Sequence, residues 1–450
     1  MKVALLVAVS LAAPFADGAD IWYVDASADI WGDGRSWESA FTTIGRALQS
    51  AYGGDTVIVA QGTYRERLQI DTRTILVTSK EPLNPNVVAN TIIDGGAEGP
   101  VVTFWGHESE RCVLQGFTIT NGSAPSGGGI NGNGTLATIR YNVITWNVAY
   151  GGPWPHHGCG GGIYRCNGVI ENNVISENVA GDEDNAGDGG AMAYCAGTVR
   201  RNTIIRNRVV GKTCNPEFPW NCDTAVAPGL WVCNGTIEGN FIAENYSEFA
   251  SGEGICESWG RIVRNTLTGN SGGGIVSCGG EILQNLVAFN PGAGIYGCEG
   301  FLSNNVVFGN AGTWAVTGGL GECSGIITNC IVWGNGSPDG RQVADSDLPT
   351  YSCIQGWTGG GKGNINLEPK FVDAEKGDFR LLPDSPCIDA GDNNVADLPD
   401  TDILGMHRIM YGGRSLTVDM GAYEFYINDL TRGPNPDETT FTWSSLADKS

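Results

Sequence analysis

Apolar and polar positions between residues 112 and 335 follow a short pattern that recurs along the chain. Each copy has an aliphatic residue, two variable residues, an asparagine, a short apolar strand and a second asparagine. The clear copies are residues 139–147, 170–178, 199–207, 237–245, 262–270, 282–290 and 302–310. Successive first asparagines are separated by 31, 29, 38, 25, 20 and 20 residues. A minimum period near twenty, with β-rich segments between glycine and asparagine, predicts the coils of a solenoid.

The repeat favours strands because no stretch of it has an apolar 3.6-residue period over ten residues. Each coil would supply about three short strands, and stacked coils would form parallel sheets with a strand spacing of about 4.8 Å. Parallel crossovers are right-handed as a rule. The predicted fold class is therefore all-β: a right-handed parallel β-helix solenoid with a short N-terminal helical cap and a C-terminal β cap.

Residues at the same position of the repeat should stack on neighbouring coils. The aliphatic rows would form a dry interior, and the asparagine rows would lie at turns, where asparagine tolerates left-handed backbone and its amide can bond the next amide. A third row consists of cysteines, seven residues before the first asparagine: Cys166, Cys195, Cys233, Cys278, Cys298 and Cys323. We expect buried thiols that pack as small apolar residues, because a metal site gathers its ligands in one place. Disulfides between adjacent row members stay open.

The segments outside the repeat suggest an exported protein. Residues 1–18 have a lysine, an apolar run and small residues at 16–18, as a secretory signal does. Residues 19–64 would form the N-terminal cap, with a helix at 39–51, and residues 65–363 the β-helix. Residues 364–426 would form the C-terminal cap, and residues 427–450 a polar tail. No later stretch is long and apolar enough for a transmembrane segment, which predicts a secreted or cell-surface location.

Several phrases of the sequence resemble known families. YVDA, SWESAFTTIGRAL, GDTVIVAQGTY and GFTITNG resemble the N-terminal region of secreted right-handed β-helix proteins of the pectate-lyase-like superfamily. The phrases DILGMHR at 402–408 and VDMGAYE at 418–424 resemble the choice-of-anchor Q module that closes many bacterial surface β-helix proteins. The resemblance implies the fold more than an activity, because this fold carries many functions. The catalytic motifs of polygalacturonase-like enzymes do not occur in this sequence in their usual order.

Charge and cysteine content restrict the partners and the compartment. The net charge is −23 and the pI is about 4.4, which argues against nucleic acid and anionic membrane surfaces. Fourteen cysteines in an exported chain predict disulfides. Cys214 and Cys222 flank a short loop and are the best candidate pair.

Insertions fall at one corner of the solenoid. The coils would open at Ile130, Ile163, Met192, Leu230, Ile255, Ile275, Ile295 and Ala315. From the preceding second asparagine to these residues the steps are 9, 16, 14, 23, 10, 5, 5 and 5. The three longest steps are consecutive, so their loops should lie side by side on one edge.

Those loops concentrate imidazole, carboxylate and aromatic side chains. Carboxylates and imidazoles act as acid and base, aromatic rings stack on sugars, and crowded carboxylates bind Ca²⁺. The predicted catalytic residues are His157, Asp182, Asp184 and Asp188. The predicted substrate-binding residues are Trp154, His156, Glu217 and Trp220 and, from a fourth, smaller loop on the next coil, Tyr246. The predicted calcium ligands are Asp182, Glu183 and Asp184; the alternative is a set of solvated surface carboxylates.

These features together predict an exported or cell-surface β-helix protein that binds an extended polysaccharide. Cleavage by a lyase or glycoside hydrolase mechanism stays open, since no family motif fixes it. The alternative is a non-catalytic surface adhesin or structural protein, which the anchor-like C-terminal phrases favour.

Overall fold

The structure is a computed structural model that describes residues 19–152, 156–214, 222–224, 226–248, 252–312 and 317–426. At 212–214 and 222–224 it describes the backbone alone. The predicted signal segment and polar tail lie outside these residues. Within the described chain, no helix is long and apolar enough to cross a membrane.

Three long parallel sheets run along the molecule, and each coil contributes one strand to each of them in turn. Sheet 1 contains Ile21–Val24, Thr56–Val59, Leu76–Ser79, Val113–Gln115, Thr138–Arg140, Val169–Glu171, Thr198–Arg200, Thr236–Glu238, Trp259–Val263, Gly279–Leu283, Glu299–Ser303 and Ser324–Thr328. Sheet 2 contains Gly62–Arg65, Thr91–Asp94, Thr118–Thr120, Val143–Thr145, Val174–Ser176, Thr203–Ile205, Phe241–Ala243, Thr266–Thr268, Leu286–Ala288, Val306–Phe308, Ile331–Trp333 and Cys353–Ile354. Sheet 3 contains Leu68–Ile70, Val102–Phe104, Ile130–Asn131, Ile163–Tyr164, Met192–Ala193, Leu230–Trp231, Ile255–Cys256, Ile275–Val276, Ile295–Tyr296, Leu320–Gly321 and Val343–Ala344. The fold is a right-handed parallel β-helix, as the sequence predicts.

A fourth, five-stranded parallel sheet lies at the corner between sheets 2 and 3, where the insertions occur. Sheet 4 contains Ser123–Ala124, Val148–Ala149, Val179–Ala180, Arg208–Val209 and Tyr246–Ser247. The other described pairs are Gly158–Cys159 with Gly187–Asp188, Lys212–Cys214 with Cys222–Thr224, and Phe371–Asp373 with Asp378–Leu381. The helices are Ile44–Ser50 and Pro85–Ala89, with a 3₁₀ turn at Ala374–Lys376.

Two asparagine ladders fix the stacking of the coils. Asn270 shows the pattern: its amide Nδ2 donates to Oδ1 of Asn290 at 3.1 Å and to the Ile242 carbonyl at 3.0 Å. Its backbone N–H donates to the same Asn290 oxygen at 3.0 Å. The predicted amide-to-amide bonds are confirmed, but the left-handed residue is the one before the asparagine. Arg264 (φ 55°) and Gln284 (φ 54°) are examples, because the turn that presents the amide inward bends one residue earlier.

The cysteine row is buried and consists of free thiols, as the packing interpretation predicts. Each thiol donates to the carbonyl two residues earlier; for Cys233 the sulfur lies 3.5 Å from the Trp231 oxygen. Ser258 replaces cysteine in this row and its hydroxyl donates to the equivalent carbonyl, that of Cys256, at 3.1 Å. The row position therefore calls for a small side chain that can donate a hydrogen bond.

Two further sequence predictions of local structure are wrong. The N-terminal helix begins at Ile44, not at Ser39, because Thr43 is its N-cap and Phe41 is already bridged to Val24. Ala315, where the next coil was predicted to open, lies outside the described residues, and Leu320 is the residue in register with Ile295 in sheet 3. The chain therefore has an additional insertion at that corner, and the apolar residue five positions after the asparagine was a misleading match.

Charged side chains at matching positions on the outer faces of adjacent coils form ion pairs, as expected for cross-strand neighbours. Arg200 contacts the carboxylate of Glu171 at 2.8 Å, and Arg206 pairs with Glu177 and Glu244. Glu238 pairs with Arg264 of the next coil, not with Arg200. These arginines are held by carboxylates on the solvent-facing surface.

The C-terminal cap, residues 364–426, packs against the outer face of sheet 2 along the last coils. Phe379 and Phe371 contact Phe308, with ring centroids 5.3 and 5.7 Å away. Asn304, at a corner between sheets 1 and 2, donates to the Asp419 carbonyl at 3.1 Å. At the end of the solenoid, Trp357 packs against the main apolar core.

Candidate functional site

A surface pocket of about 620 Å³ lies beside sheet 3, where the inserted loops of three consecutive coils meet. The backbone brings these loops into register, since Cys159 bridges Ser126 on one side and pairs with Asp188 on the other. Asp188 in turn bridges Val226. The prediction that the longest loops lie side by side is confirmed. The pocket is lined by Pro125, Ser126, Gly151, Gly152, His156, His157, Cys159, Tyr164, Asp188, Tyr194 and Trp231.

Two glycines allow the loops to fold back closely against sheet 4. A Cβ atom at Gly158 would lie 2.1 Å from the Ala149 carbonyl oxygen, and one at Gly187 would lie 1.9 Å from the Ala180 carbonyl carbon. No other residue fits such approaches. The adjoining residues, His157 and Asp188, are therefore held next to each other on neighbouring coils.

His157 and Asp188 form the polar centre of the pocket. The imidazole Nδ1 of His157 lies 2.6 Å from Oδ2 of Asp188. The other carboxylate oxygen of Asp188 accepts from the Val226 backbone N–H at 3.2 Å. Asp188 is only 1% exposed, so its carboxylate is fixed and it orients the imidazole of His157.

Three aromatic rings form one wall of the pocket. Tyr164 and Tyr194 meet edge to face with centroids 5.8 Å apart, and Tyr194 and Trp231 do so at 4.9 Å. Tyr194 is 39% exposed. Burial, together with negative neighbours that include Asp188, raises the pKa of Tyr194 to about 12. The phenol therefore stays protonated near neutral pH and can donate a hydrogen bond.

Cys159 forms the floor next to His157 and Asp188. Burial raises the pKa of its thiol to about 12, and the charge of Asp188 adds to the shift. Since the thiolate is the nucleophilic form of cysteine, Cys159 is a packing residue here.

The other acidic residues of the second loop have a different arrangement from Asp188. Asp182 accepts hydrogen bonds from the backbone N–H groups of Asp184 and Asn185 at 2.9 and 2.8 Å, which shapes its own turn. Glu183 and Asp184 are exposed. In the described part of the chain, no three His, Cys, Asp or Glu side chains are grouped closely enough to hold a metal ion. The calcium role of Asp182, Glu183 and Asp184 stays a prediction.

The remaining predicted site residues are distributed as follows. His156 lines the pocket. Tyr246 lies on sheet 4, 48% exposed, and does not line the pocket. Trp154, Glu217 and Trp220 lie outside the described residues. Cys214 and Cys222 are opposite each other in an antiparallel pair of strands, a register that agrees with the predicted disulfide.

The aromatic wall was missed by the sequence analysis, although a signal was present. Tyr164 and Trp231 directly follow the apolar residues that open their coils, and Tyr194 comes one position later. Aromatic residues one or two positions after the opening residue, on the coils that carry the long insertions, indicate the surface next to which the inserted loops lie.

Comparisons with known proteins support the architecture alone. No protein-family model matches the sequence, and no curated protein matches it. Among solved structures, the crystal structure of pectate lyase Pel9A aligns with a TM-score of 0.50 at 13% identity, over 90% of this chain and 96% of that one. The structure of XylC in complex with xylose aligns with a TM-score of 0.41 at 10% identity, over 90% and 98% of the two chains. The first likeness agrees with the parallel β-helix fold.

Proposed function

We propose that this protein is an exported or cell-surface β-helix protein that binds an extended polysaccharide in the pocket beside sheet 3. The aromatic wall of Tyr164, Tyr194 and Trp231 is the observation that carries the proposal. Sugar rings present apolar faces and hydroxyl edges, which suit aromatic faces with a phenol donor beside them. The solved structures with a similar fold include a pectate lyase, so a carbohydrate ligand is in keeping with the architecture.

The position of the pocket favours a chain over a free monosaccharide. It lies on a long lateral surface where successive coils repeat the same backbone, so a ligand can continue past the pocket in both directions along sheet 3. His157 and Asp188 contribute hydrogen bonds at the centre. A glycan array with the full chain tests the proposal, followed by product analysis on each polysaccharide that binds.

The Trp231→Ala substitution is expected to weaken polysaccharide binding at least about fivefold, because a stacked aromatic ring contributes about 1 kcal/mol beyond its buried area. Titration calorimetry of the wild type and the variant with the best array ligand measures the change. Trp259→Ala is the matched control, since Trp259 lies 55% exposed on sheet 1, away from the pocket. Equal losses in the two variants would contradict the assignment of the pocket.

A second candidate function, cleavage of the bound polysaccharide, is favoured by the fixed His157–Asp188 pair. A carboxylate that orients an imidazole is the arrangement of a general base or acid, and such a group contributes 10²–10⁴-fold in rate. His157 would transfer the proton while Asp188 stabilises the imidazolium. If the chain acts on the polysaccharide, Asp188 is a positioning residue for His157.

The Asp188→Asn substitution is then expected to lower product formation by about 10²-fold or more while binding falls much less. The amide can keep the hydrogen bond to Val226, but it cannot stabilise a protonated imidazole. Reducing-end and unsaturated-product assays measure turnover, and calorimetry measures binding. Binding without products in the wild type would favour the adhesin alternative, and a full loss of binding in the variant would assign Asp188 to ligand recognition or packing.

A further inference from the structure

Two cysteine thiols meet at the boundary between the last coil and the C-terminal cap. Cys353 begins the last strand of sheet 2, and Cys387 belongs to the cap. Both are 0% exposed and belong to the apolar cluster that joins the cap to the solenoid. The thiols of Cys387 and Cys353 are neighbours in this cluster, and the structure holds both as free thiols.

The segment that enters the cap fixes both residues. The Cys353 thiol donates to the Leu367 carbonyl at 3.1 Å. Two residues later, the Pro369 carbonyl accepts from the Ser385 hydroxyl at 2.5 Å, and that hydroxyl accepts from the Cys387 backbone N–H at 3.2 Å. The two cysteines are therefore held by one short stretch of chain, although 34 residues separate them in sequence.

The cysteines of the internal row are a different case, although neighbours such as Cys278 and Cys298 are also in contact. Serine or threonine occupies the same row position at Ser258 and Thr135. A hydroxyl satisfies that position, so a reduced thiol does as well. Cys387, in contrast, is the single cysteine in the sequence of the cap, and its thiol faces one from the solenoid.

We propose that Cys353 and Cys387 form a disulfide bond under oxidising conditions, which ties the C-terminal cap covalently to the last coil. A disulfide oxidant such as oxidised glutathione supplies the chemistry. One thiolate attacks the oxidant and releases one reduced thiol; the second thiolate then attacks the mixed disulfide and releases the other. The cysteines lose two electrons and two protons, and the oxidant is reduced to two thiols.

The thiol–disulfide exchange takes place during folding, before the C-terminal cap packs against the solenoid. Both sulfurs are inaccessible in the folded chain, and burial raises the pKa of the Cys387 thiol well above its usual range, which suppresses the reactive thiolate. Once formed, the bond closes a loop of the unfolded chain and so favours the folded state.

The first test maps the thiols of the full chain after refolding in a mixture of oxidised and reduced glutathione. Free thiols are alkylated in denaturant, the chain is digested without reductant, and the peptides are identified by mass spectrometry. We expect a cross-linked pair of peptides that contain Cys353 and Cys387. Alkylation of both cysteines, or a bond from Cys387 to another cysteine, would overturn the proposal.

The second test compares thermal unfolding with and without reductant. In the oxidised wild type, reductant should lower the unfolding midpoint, and the shift should be smaller in the Cys353→Ser/Cys387→Ser double variant, which keeps only the response of the predicted Cys214–Cys222 bond. Cys298→Ser is the matched control from the internal row and should keep the wild-type response. An identical response in the wild type and the double variant would overturn the proposal; if the double variant does not fold, the peptide map of the wild type decides.

Discussion

Replacement of Asn285 by alanine is expected to lower the free energy of unfolding by about 3–5 kcal/mol, because it breaks an internal ladder at both sides and leaves buried polar groups unpaired. The Asn285 amide donates to the Ile262 carbonyl at 2.9 Å and to Asn305 Oδ1 at 3.1 Å. Its own oxygen accepts from the Asn265 backbone and side-chain N–H groups at 3.0 and 3.1 Å. Asn285 is fully buried, so water cannot replace these partners.

Urea unfolding followed by circular dichroism measures this loss. Glu281→Ala is the control, since Glu281 lies on the same coil, contacts Arg261 at 3.2 Å and is partly exposed. A surface ion pair of this kind contributes about 0–1 kcal/mol. A loss for Asn285→Ala no greater than that of the control would mean that the ladder does not hold the coils together.

Replacement of Arg408 by methionine is expected to destabilise the C-terminal cap by about 3–5 kcal/mol near pH 9, and by less near pH 5. Arg408 is 1% exposed and donates to the Asp419 and Gly421 carbonyls at 3.1 and 3.0 Å. Its Nη1 lies 3.4 Å from Oε2 of Glu424. Without the guanidinium, buried carboxylates lose the positive charge that faces them.

The pH dependence follows from the carboxyl groups around Arg408. Burial raises the pKa of Asp419 to about 7 and that of Glu424 to about 9, and it also raises the pKa of Asp402. The folded cap therefore binds more protons than the unfolded chain, so these groups favour folding below pH 4 and lose that contribution as pH rises to about 9. Removal of Arg408 raises the carboxyl pKa values further, which enlarges the loss at high pH.

Thermal unfolding at pH 5, 7 and 9 measures this behaviour. Glu424→Gln is the companion variant, because it removes one titrating carboxyl and keeps the bonds of Arg408 to the Asp419 and Gly421 carbonyls. It should flatten the decline of stability between about pH 5 and pH 9. A loss for Arg408→Met that is the same at pH 5 and pH 9 would show that the carboxyl groups take up no protons.

The coil interior could be predicted from sequence because a solenoid repeats one local environment. Residues at one register position stack, so the aliphatic, asparagine and cysteine rows define their own neighbours. Asn265, Asn285 and Asn305 illustrate this, since each was assigned its partner by position in the repeat alone. The rule fails where the repeat is irregular. The pattern predicted Ala315 as the first residue of a coil, but Leu320 is in register with Ile295, so the chain has an insertion before Leu320.

The location of the candidate site could be predicted from the sequence, but the full set of residues that form it could not. The excess residues at one corner located the loops, and two of the residues they carry, His157 and Asp188, do meet at 2.6 Å. The separation of Asp188 from Asp182 could not be read from the sequence, because six residues of irregular loop can turn in many ways. The close approach of Gly187 to sheet 4 places Asp188 in the pocket. Asp182 instead accepts a hydrogen bond from the backbone N–H of Asn185, within its own turn.

The β-helix, its register and the edge on which the insertions lie could all be predicted, because they depend on a periodic pattern that each coil repeats. The folded structure was needed to show which side chains meet between segments that have no repeat. It placed the C-terminal cap along sheet 2, gathered Arg408 with Asp402, Asp419 and Glu424, and brought Cys387 to Cys353. Such contacts depend on how a non-repetitive segment folds back on the solenoid, and no local period encodes that path.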